Sequence, residues 1–226
     1  MTRHLLTSAL IAGVAAGFLA ALLQFTFTVP LLLEGELYET GARIHFSANG
    51  SPSSDAGHPP VWGEIGRHFG TLGMNLVSYT GFAFIMVAGF ALAERSGHRL
   101  SPRIGLIWGL AGFVAINLAP SFGLPPELPG SIAAELTARQ AWWISCVGAT
   151  IIALALFAFG RGPVAITIGV VLIALPHLIG APQLDTYFGV AAPELAAHFA
   201  TRSLGVAAAS WVLLGLIAAT LYTKRD

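Results

Sequence analysis

The stretch of sequence that decides the fold is QAWWISCVGATIIALALFAFG, residues 140–160, in which no side chain is charged. A short RGP connection at residues 161–163 follows it, and the next apolar run continues to residue 181. A hydrocarbon core about 30 Å thick is crossed by roughly 20 apolar residues of α-helix. The two runs therefore predict a pair of membrane-spanning helices joined by a tight turn.

The composition extends this prediction to the whole chain. Hydrophobic residues make up 55% of the sequence and charged residues only 10%, whereas about a quarter of the residues in soluble domains are charged. We predict an all-α membrane protein, a bundle of six transmembrane helices in a single integral membrane domain covering residues 1–226. The predicted spans are residues 5–33, 70–93, 104–120, 140–160, 162–181 and 203–223, with one long outer loop at residues 34–69.

The distribution of basic residues predicts the orientation, because cytoplasmic segments carry an excess of lysine and arginine. With both termini in the cytoplasm, seven basic residues lie inside and four outside. The inner set is Arg3, Arg95, Arg99, Arg103, Arg161, Lys224 and Arg225, and the outer set is Arg43, Arg67, Arg139 and Arg202. The formal net charge is zero, so no overall basic field indicates a nucleic-acid partner.

Acidic residues and histidines concentrate on the predicted outer side, where they would attract cations. Imidazole and carboxylate groups are suitable ligands for divalent cobalt, nickel or zinc. The predicted metal-binding residues are His177, Glu34, Glu36, Glu127, Glu194 and His198. His45, His58, His68 and His198 are assigned to outer loops. For His177 an alternative stays open, in which a neutral imidazole only hydrogen-bonds to a backbone carbonyl freed by a neighbouring proline.

Prolines near the outer ends of the odd-numbered spans predict interrupted helices. A proline removes a backbone hydrogen bond and leaves carbonyl groups that need another partner. The predicted helix-breaking residues are Pro30, Pro120, Pro176 and Pro182. Polar side chains close to these positions are predicted to line an outer vestibule, and these pathway-lining residues are Gln24, Asn75 and Asn117.

The same prolines belong to a repeated order of features: a helix, a proline, a Glu-Leu pair, an arginine and a second helix. The Glu-Leu pairs and arginines are Glu36-Leu37 with Arg67, Glu127-Leu128 with Arg139, and Glu194-Leu195 with Arg202. This order predicts three parallel helix-hairpin repeats. The alternative is an ordinary six-helix bundle whose helix ends look alike.

Small residues and charges at helix ends are interpreted as structural. Gly13 and Gly17 form a GxxxG pattern, which favours close helix packing in membranes, and Gly105, Gly109 and Gly112 mark one face of the third span. Tyr222 is assigned to an aromatic belt at the membrane interface. Glu135 and Arg139 are four residues apart, a spacing that predicts an ion pair on one helix face.

The sequence resembles a known family of membrane proteins. The motifs that carry the resemblance are IWGLAGF (residues 107–113), LAPSFGLPPELPG (118–130), ARQAWW (138–143), LPHLIGAPQ (175–183) and PELAAHF (193–199). In this order they are similar to the CbtA family, whose members are described as probable cobalt transporter subunits. The resemblance implies a role in cobalt uptake together with a small single-span membrane protein that carries histidines.

The sequence favours transport over two other function classes. We predict a membrane subunit of a divalent-cation uptake system in the bacterial cytoplasmic (inner) membrane, with Co²⁺ or Ni²⁺ as the transported ion and no permanently bound cofactor. The alternative is a structural or assembly subunit of a larger membrane complex. A membrane enzyme is the least favoured class, because neither HExxH nor paired intramembrane carboxylates occur. The sequence also contains no GxxxxGK[ST] phosphate-binding loop, so the energy source is not visible in it.

Overall fold

The protein is described by a computed structural model that covers residues 2–45, 57, 59–63, 65–186 and 189–224. Its helices are α1 (Thr2–Phe27), α2 (Val29–Glu39), α3 (Ile65–Arg95), α4 (Pro102–Phe113), a π-helical segment (Val114–Leu118), α5 (Ala119–Ser121), α6 (Leu136–Phe159), α7 (Gly162–Ile179) and α8 (Pro193–Thr223). Counting Pro102–Ser121 as one, six helices in the described ranges are long and apolar enough to cross a bilayer. The prediction of an all-α membrane protein with six spans is confirmed.

The first predicted span is divided in two by the proline near its end. Helix α1 ends at Phe27, Thr28 forms a turn, and α2 continues from Val29 to Glu39. Pro30 has no N–H group, so it cannot donate the helical hydrogen bond to the carbonyl of Thr26. A search for apolar residues alone does not detect this loss and therefore merges the two helices.

Two helices extend beyond the apolar runs from which they were predicted. Helix α3 begins at Ile65 and α8 begins at Pro193, while α2 occupies the first part of the predicted long loop. His68 and His198, which were assigned to loops, therefore lie in helices. The reason is that a helix can continue into the polar interface, where charged side chains reach water, whereas hydropathy marks only its apolar part.

The remaining prolines have different effects on the helices. A π-helical segment directly precedes Ala119 and Pro120, consistent with a proline that cannot donate the regular bond to the residue four positions earlier. Pro176 lies inside α7, which runs on to Ile179 and ends at Gly180 with φ of 86°. Pro182 follows that end. Pro176 therefore removes one bond close to the end of α7 without interrupting the helix.

Contacts between residues divide the chain into two compact units. Unit 1 comprises Met1–Val29, Pro60–Phe113 and Gly205–Asp226, and unit 2 comprises Pro30–Pro59 and Val114–Leu204. Helix α8 contributes to both units. The single integral domain and the threefold hairpin repeat both stay predictions.

In unit 1, α1 packs against α3 through a row of small side chains. Ala9, Ala12, Ala16 and Ala20 are fully buried on this face of α1. A Cβ atom on Gly17 would lie 2.8 Å from the backbone oxygen of Asn75, which is too close for a side chain. The predicted GxxxG packing is therefore confirmed.

Helix α4 approaches α8 in the same way. Cβ atoms on Gly105 and Gly109 would collide with the backbone carbonyls of Gly215 and Trp211. Close packing on the glycine face of the third span is therefore observed as well.

Tyr222, near the end of α8, lies in the core of unit 1. Only 1% of its surface is exposed, and its ring packs against that of Phe90. Its hydroxyl donates a hydrogen bond to Oε2 of Glu94 at 2.8 Å. The assignment of Tyr222 to an interfacial aromatic belt is wrong, because the side chain turns inward to these partners.

We predict that Gly109→Ala destabilises the protein by about 1–3 kcal/mol, the usual cost of forcing extra atoms into a packed contact. The added methyl group would meet backbone atoms of Trp211, which cannot move aside as a side-chain tip could. Thermal unfolding of the purified full chain in detergent measures the change.

Gly81→Ala is the matched control, because Gly81 lies inside α3 and a Cβ atom there meets nothing within 4 Å. This variant should be neutral or stabilised by up to about 1 kcal/mol. Equal stability of the two variants would contradict the assigned backbone contact.

Candidate metal-binding and pathway residues

Two of the predicted pathway residues meet in unit 1. The Nε2 group of Gln24 donates to Oδ1 of Asn75 at 3.1 Å, and Nδ2 of Asn75 donates to Oε1 of Gln24 at 3.0 Å. Nδ2 of Asn75 also donates to the carbonyl of Thr71 at 2.9 Å. These reciprocal hydrogen bonds hold two polar amides inside the apolar packing of α1 against α3.

A cleft of about 500 Å³ opens beside this amide pair. Its lining carries amide, hydroxyl and thioether groups together with one glycine, and the residues are Gln24, Gly70, Thr71, Met74, Asn75, Ser78 and Tyr79. The donors of this set are neutral side chains whose oxygen and sulfur atoms could replace water around a partly dehydrated ion. The pathway-lining role of Gln24 and Asn75 stays a prediction.

His177 lies in unit 2, half-buried between two aromatic rings. Its ring centroid is 6.0 Å from those of both Phe122 and Trp142, each in an edge-to-face arrangement. Asn117, the third predicted pathway residue, lies in the π-helical segment of the same unit. Gln24 and Asn75 therefore belong to one unit, and Asn117 and His177 to the other.

The carbonyl of Pro176 is occupied by groups other than His177. Nε1–H of Trp142 donates to it at 3.0 Å, and the amide of Gly180 donates to it at 3.0 Å. A carbonyl oxygen has two lone pairs, so these two donors use its capacity. Among the described residues, none forms a hydrogen bond with the His177 imidazole, and its nitrogen atoms stay available to water or an ion.

Two of the predicted acidic ligands are paired with arginines. Glu34 forms an ion pair with Arg43. Glu127 Oε2 accepts a hydrogen bond from an Arg139 guanidinium nitrogen at 2.9 Å. These arginines offset the negative charge that the carboxylates would offer to a cation.

Glu135 has a different role from the one predicted. Its carboxylate accepts hydrogen bonds from the amides of Thr137 and Ala138 at 2.9 and 2.7 Å and so caps the start of α6. The bond from Thr137 and then that from Ala138 lower the pKa of Glu135. The predicted pair of Glu135 with Arg139 is thus replaced by a helix cap and by the ion pair of Arg139 with Glu127.

The other predicted ligands are spread over unit 2. Glu36 is half-buried in α2, whereas Glu194 and His198 are exposed in the first turns of α8. Within the described residues, no group of three or more His, Cys, Asp or Glu side chains could hold a metal ion. The metal-binding roles of the six residues stay predictions. Of the other histidines assigned to loops, His58 lies outside the described residues.

A second cleft, of about 480 Å³, lies in unit 2 between the segments at 124–139 and 182–196. The ion pair of Glu127 and Arg139 contributes to its wall, as do Pro182 and Gln183. Nε2 of Gln183 donates to the carbonyl of Gly123 at 2.6 Å, and Ser131 pairs with Gly189 in an isolated β-bridge. The chain on the two sides of this cleft is therefore joined by a side-chain hydrogen bond and by a β-bridge.

The sequence-based site left out one buried ionisable residue, His68 of α3. Only 9% of its surface is exposed, and neither ring nitrogen has a hydrogen-bond partner among the described residues. Its ring centroid lies 5.2 Å from that of Phe25 and 4.9 Å from that of Trp62. The seven-residue spacing to Asn75 places both on one helix face, a signal that was present in the sequence.

Comparison with known proteins gives one match. A family model described as "Probable cobalt transporter subunit (CbtA)" matches residues 2–223, nearly the whole chain. No curated protein and no solved structure matches the sequence.

We predict that Trp142→Phe lowers the stability of the protein by at least about 1 kcal/mol, because a buried hydrogen bond to the Pro176 carbonyl is lost. Thermal unfolding in detergent measures the loss. Trp143→Phe is the control, since Trp143 is 37% exposed on the same helix, and it should stay within about 0.5 kcal/mol of the wild type. Equal losses in the two variants would show that the indole bond does not stabilise unit 2.

Proposed function

The chain belongs to the CbtA family of probable cobalt transporter subunits, and from this membership we propose that it takes up a divalent transition-metal cation. Co²⁺ is the favoured substrate and Ni²⁺ the nearest alternative. The observation that carries the proposal is the family match over residues 2–223, on a chain with six helices able to span a membrane. Such a subunit moves an ion rather than converting a substrate, and no catalytic role is proposed.

The membrane potential provides a driving force for the uptake of a cation. A membrane potential favours inward movement of a cation by about 2.3 kcal/mol per charge per 100 mV, or about 4.6 kcal/mol for a divalent ion. This is sufficient for a carrier or a channel-like subunit that exposes a binding site to the outside. We place the protein in the bacterial cytoplasmic (inner) membrane with both termini in the cytoplasm.

His177 is the proposed first ligand inside the membrane. Its imidazole forms no hydrogen bond with any described residue, and these include Leu172, whose carbonyl loses its helical donor because Pro176 has no N–H group. This arrangement favours the ligand role over the helix-end role. Arg43 and Arg139 offset Glu34 and Glu127, whereas Glu194 and His198 are exposed at the start of α8, and these two are proposed to add to the outer attraction together with Glu36.

The family description as a transporter component implies further components. We propose a small single-span membrane protein carrying histidines as the partner. The competing proposal is a structural or assembly subunit of a larger membrane complex. Metal-limited growth that depends on this chain supports the transporter, whereas stable co-purification with a large complex and normal metal uptake in its absence supports the scaffold.

The orientation is tested by single cysteines in a Cys146→Ala background. Thr40→Cys, which follows α2, should react with a membrane-impermeant thiol reagent added to intact cells, because it lies on the proposed outer side. Ser96→Cys, which follows α3, should react only after the membrane is opened. Both positions are exposed. A cysteine that does not react is therefore protected by the membrane and not by burial in the protein. The reverse pattern would overturn the proposed outer vestibule.

The ligand role of His177 is tested by cobalt accumulation in cells at limiting metal. His177→Asn keeps hydrogen-bonding capacity but is a poor ligand. We expect its cobalt uptake to fall at least about tenfold. Loss of a residue that only hydrogen-bonds to a metal ligand already costs about 10–100-fold in affinity or activity, and loss of the ligand itself should cost no less. Glu36→Gln and Glu194→Gln should mainly raise the metal concentration needed for half-maximal uptake.

Membrane abundance of each variant is measured in parallel, and His98→Asn serves as the control because this exposed histidine is outside the proposed site. Normal uptake by His177→Asn would remove His177 from the pathway. If the unaltered chain, expressed with its proposed partner, does not take up cobalt, the proposed function is overturned.

A further inference from the structure

His68 is a buried polar residue that the proposed unit 2 site does not use. Both nitrogen atoms of its ring are shielded from solvent and lack hydrogen-bond partners among the described residues. Buried polar groups in proteins are nearly always satisfied, and one that is not calls for a specific explanation such as an unseen ion. The His68 imidazole is therefore held in a position from which it would gain by binding one.

The rings around His68 form a closed aromatic contact. Phe25 meets it edge-on from α1, and Trp62 covers it from the turn that precedes α3. Trp62 is 71% exposed, so it can swing away without losing much buried surface. Phe25 and Trp62 also touch each other at 5.8 Å between centroids. The arrangement is a ligand nitrogen beneath a displaceable indole.

The cleft of unit 1 lies along the same helix as His68. Its lining includes Gly70 and Thr71, two and three residues after His68 on α3, and extends to the amide pair of Gln24 and Asn75. Spacings of three and four residues keep His68, Thr71 and Asn75 on one helix face. At a rise of 1.5 Å per residue, His68 and Asn75 are separated by about 10 Å along the axis.

The donor atoms of His68 and of the cleft suit a transition metal better than an alkali cation. His68 offers an imidazole, and the cleft lining offers hydroxyl and amide oxygens and the thioether of Met74. Imidazole and sulfur ligands favour transition metals, whereas hard cations prefer sites of oxygen alone. A single imidazole binds only weakly, and a transport step needs a site that the ion can leave again.

We propose that His68 is a transient binding site for a divalent transition-metal cation, covered by Trp62 and leading into the cleft of unit 1. The inference rests on the proposed uptake function and adds a second imidazole, in unit 1, to the His177 site of unit 2. Displacement of the indole exposes the ring nitrogen, the cation exchanges one water for it, and the cleft offers oxygen atoms for the next exchange.

Binding of Co²⁺ to the purified full chain tests the site directly. The readout is quenching of tryptophan fluorescence, because Co²⁺ at His68 would lie beside the Trp62 indole. The measurement uses a His177→Asn background, so that an ion near Trp142 does not contribute. We expect saturable quenching that weakens at least about tenfold in apparent Kd with His68→Phe and with His68→Asn, and that loses amplitude with Trp62→Phe.

His68→Phe retains an aromatic ring between Phe25 and Trp62 and should fold at least as stably as the parent chain, which thermal unfolding verifies. His98→Asn is the matched control and should bind as the parent does. An unchanged Kd in both His68 variants, or no saturable quenching in the parent, overturns the inference.

Cellular uptake separates this inference from the proposed function. Cobalt accumulation that falls in His68→Asn cells at normal protein abundance supports the site as part of the pathway. Uptake and binding that are both unaffected by the His68 variants overturn the site while leaving the proposed function intact. Binding at His68 by a chain that does not accumulate cobalt would support the site and overturn the proposed function.

Discussion

The polar pair of Gln24 and Asn75 depends on the absence of a side chain at Gly17. The backbone of α3 at Asn75 comes so close to α1 that a single methyl group at Gly17 would overlap it. At this separation the two amides reach each other and satisfy four of their hydrogen-bonding atoms. Without helix contact at backbone distance, each amide would face an apolar environment in which an unsatisfied polar group is costly.

The same requirement applies to the buried indole N–H of Trp142. Within a bilayer, polar groups need partners inside the protein, because lipid offers none. The indole N–H of Trp142 donates to the Pro176 carbonyl, which also accepts the helical bond from Gly180, and the ring of Trp142 lies beside His177. The bond that satisfies the indole thus places the ring beside the imidazole without using the imidazole nitrogens.

The spans could be predicted from sequence because apolar length is a direct requirement of the bilayer. The helix ends and the contacts of the candidate site could not be predicted in this way. They depend on which of several possible hydrogen-bond or ion-pair partners a side chain binds, and the spacing of residues in the sequence does not decide this. Glu135 had two plausible partners, and backbone amides bind it, which leaves Arg139 to pair with Glu127. The burial of His68 likewise requires Trp62 to fold back from a turn onto α3, a contact that hydropathy does not reveal.

Single imidazoles also limit what this chain can do alone. The affinity of nitrogen ligands for divalent metals increases from cobalt to nickel to copper. A lone histidine therefore binds cobalt more weakly than it binds nickel or copper. Selection of cobalt therefore requires a feature beyond His68 or His177, such as the number of ligands offered at once or the width of the path.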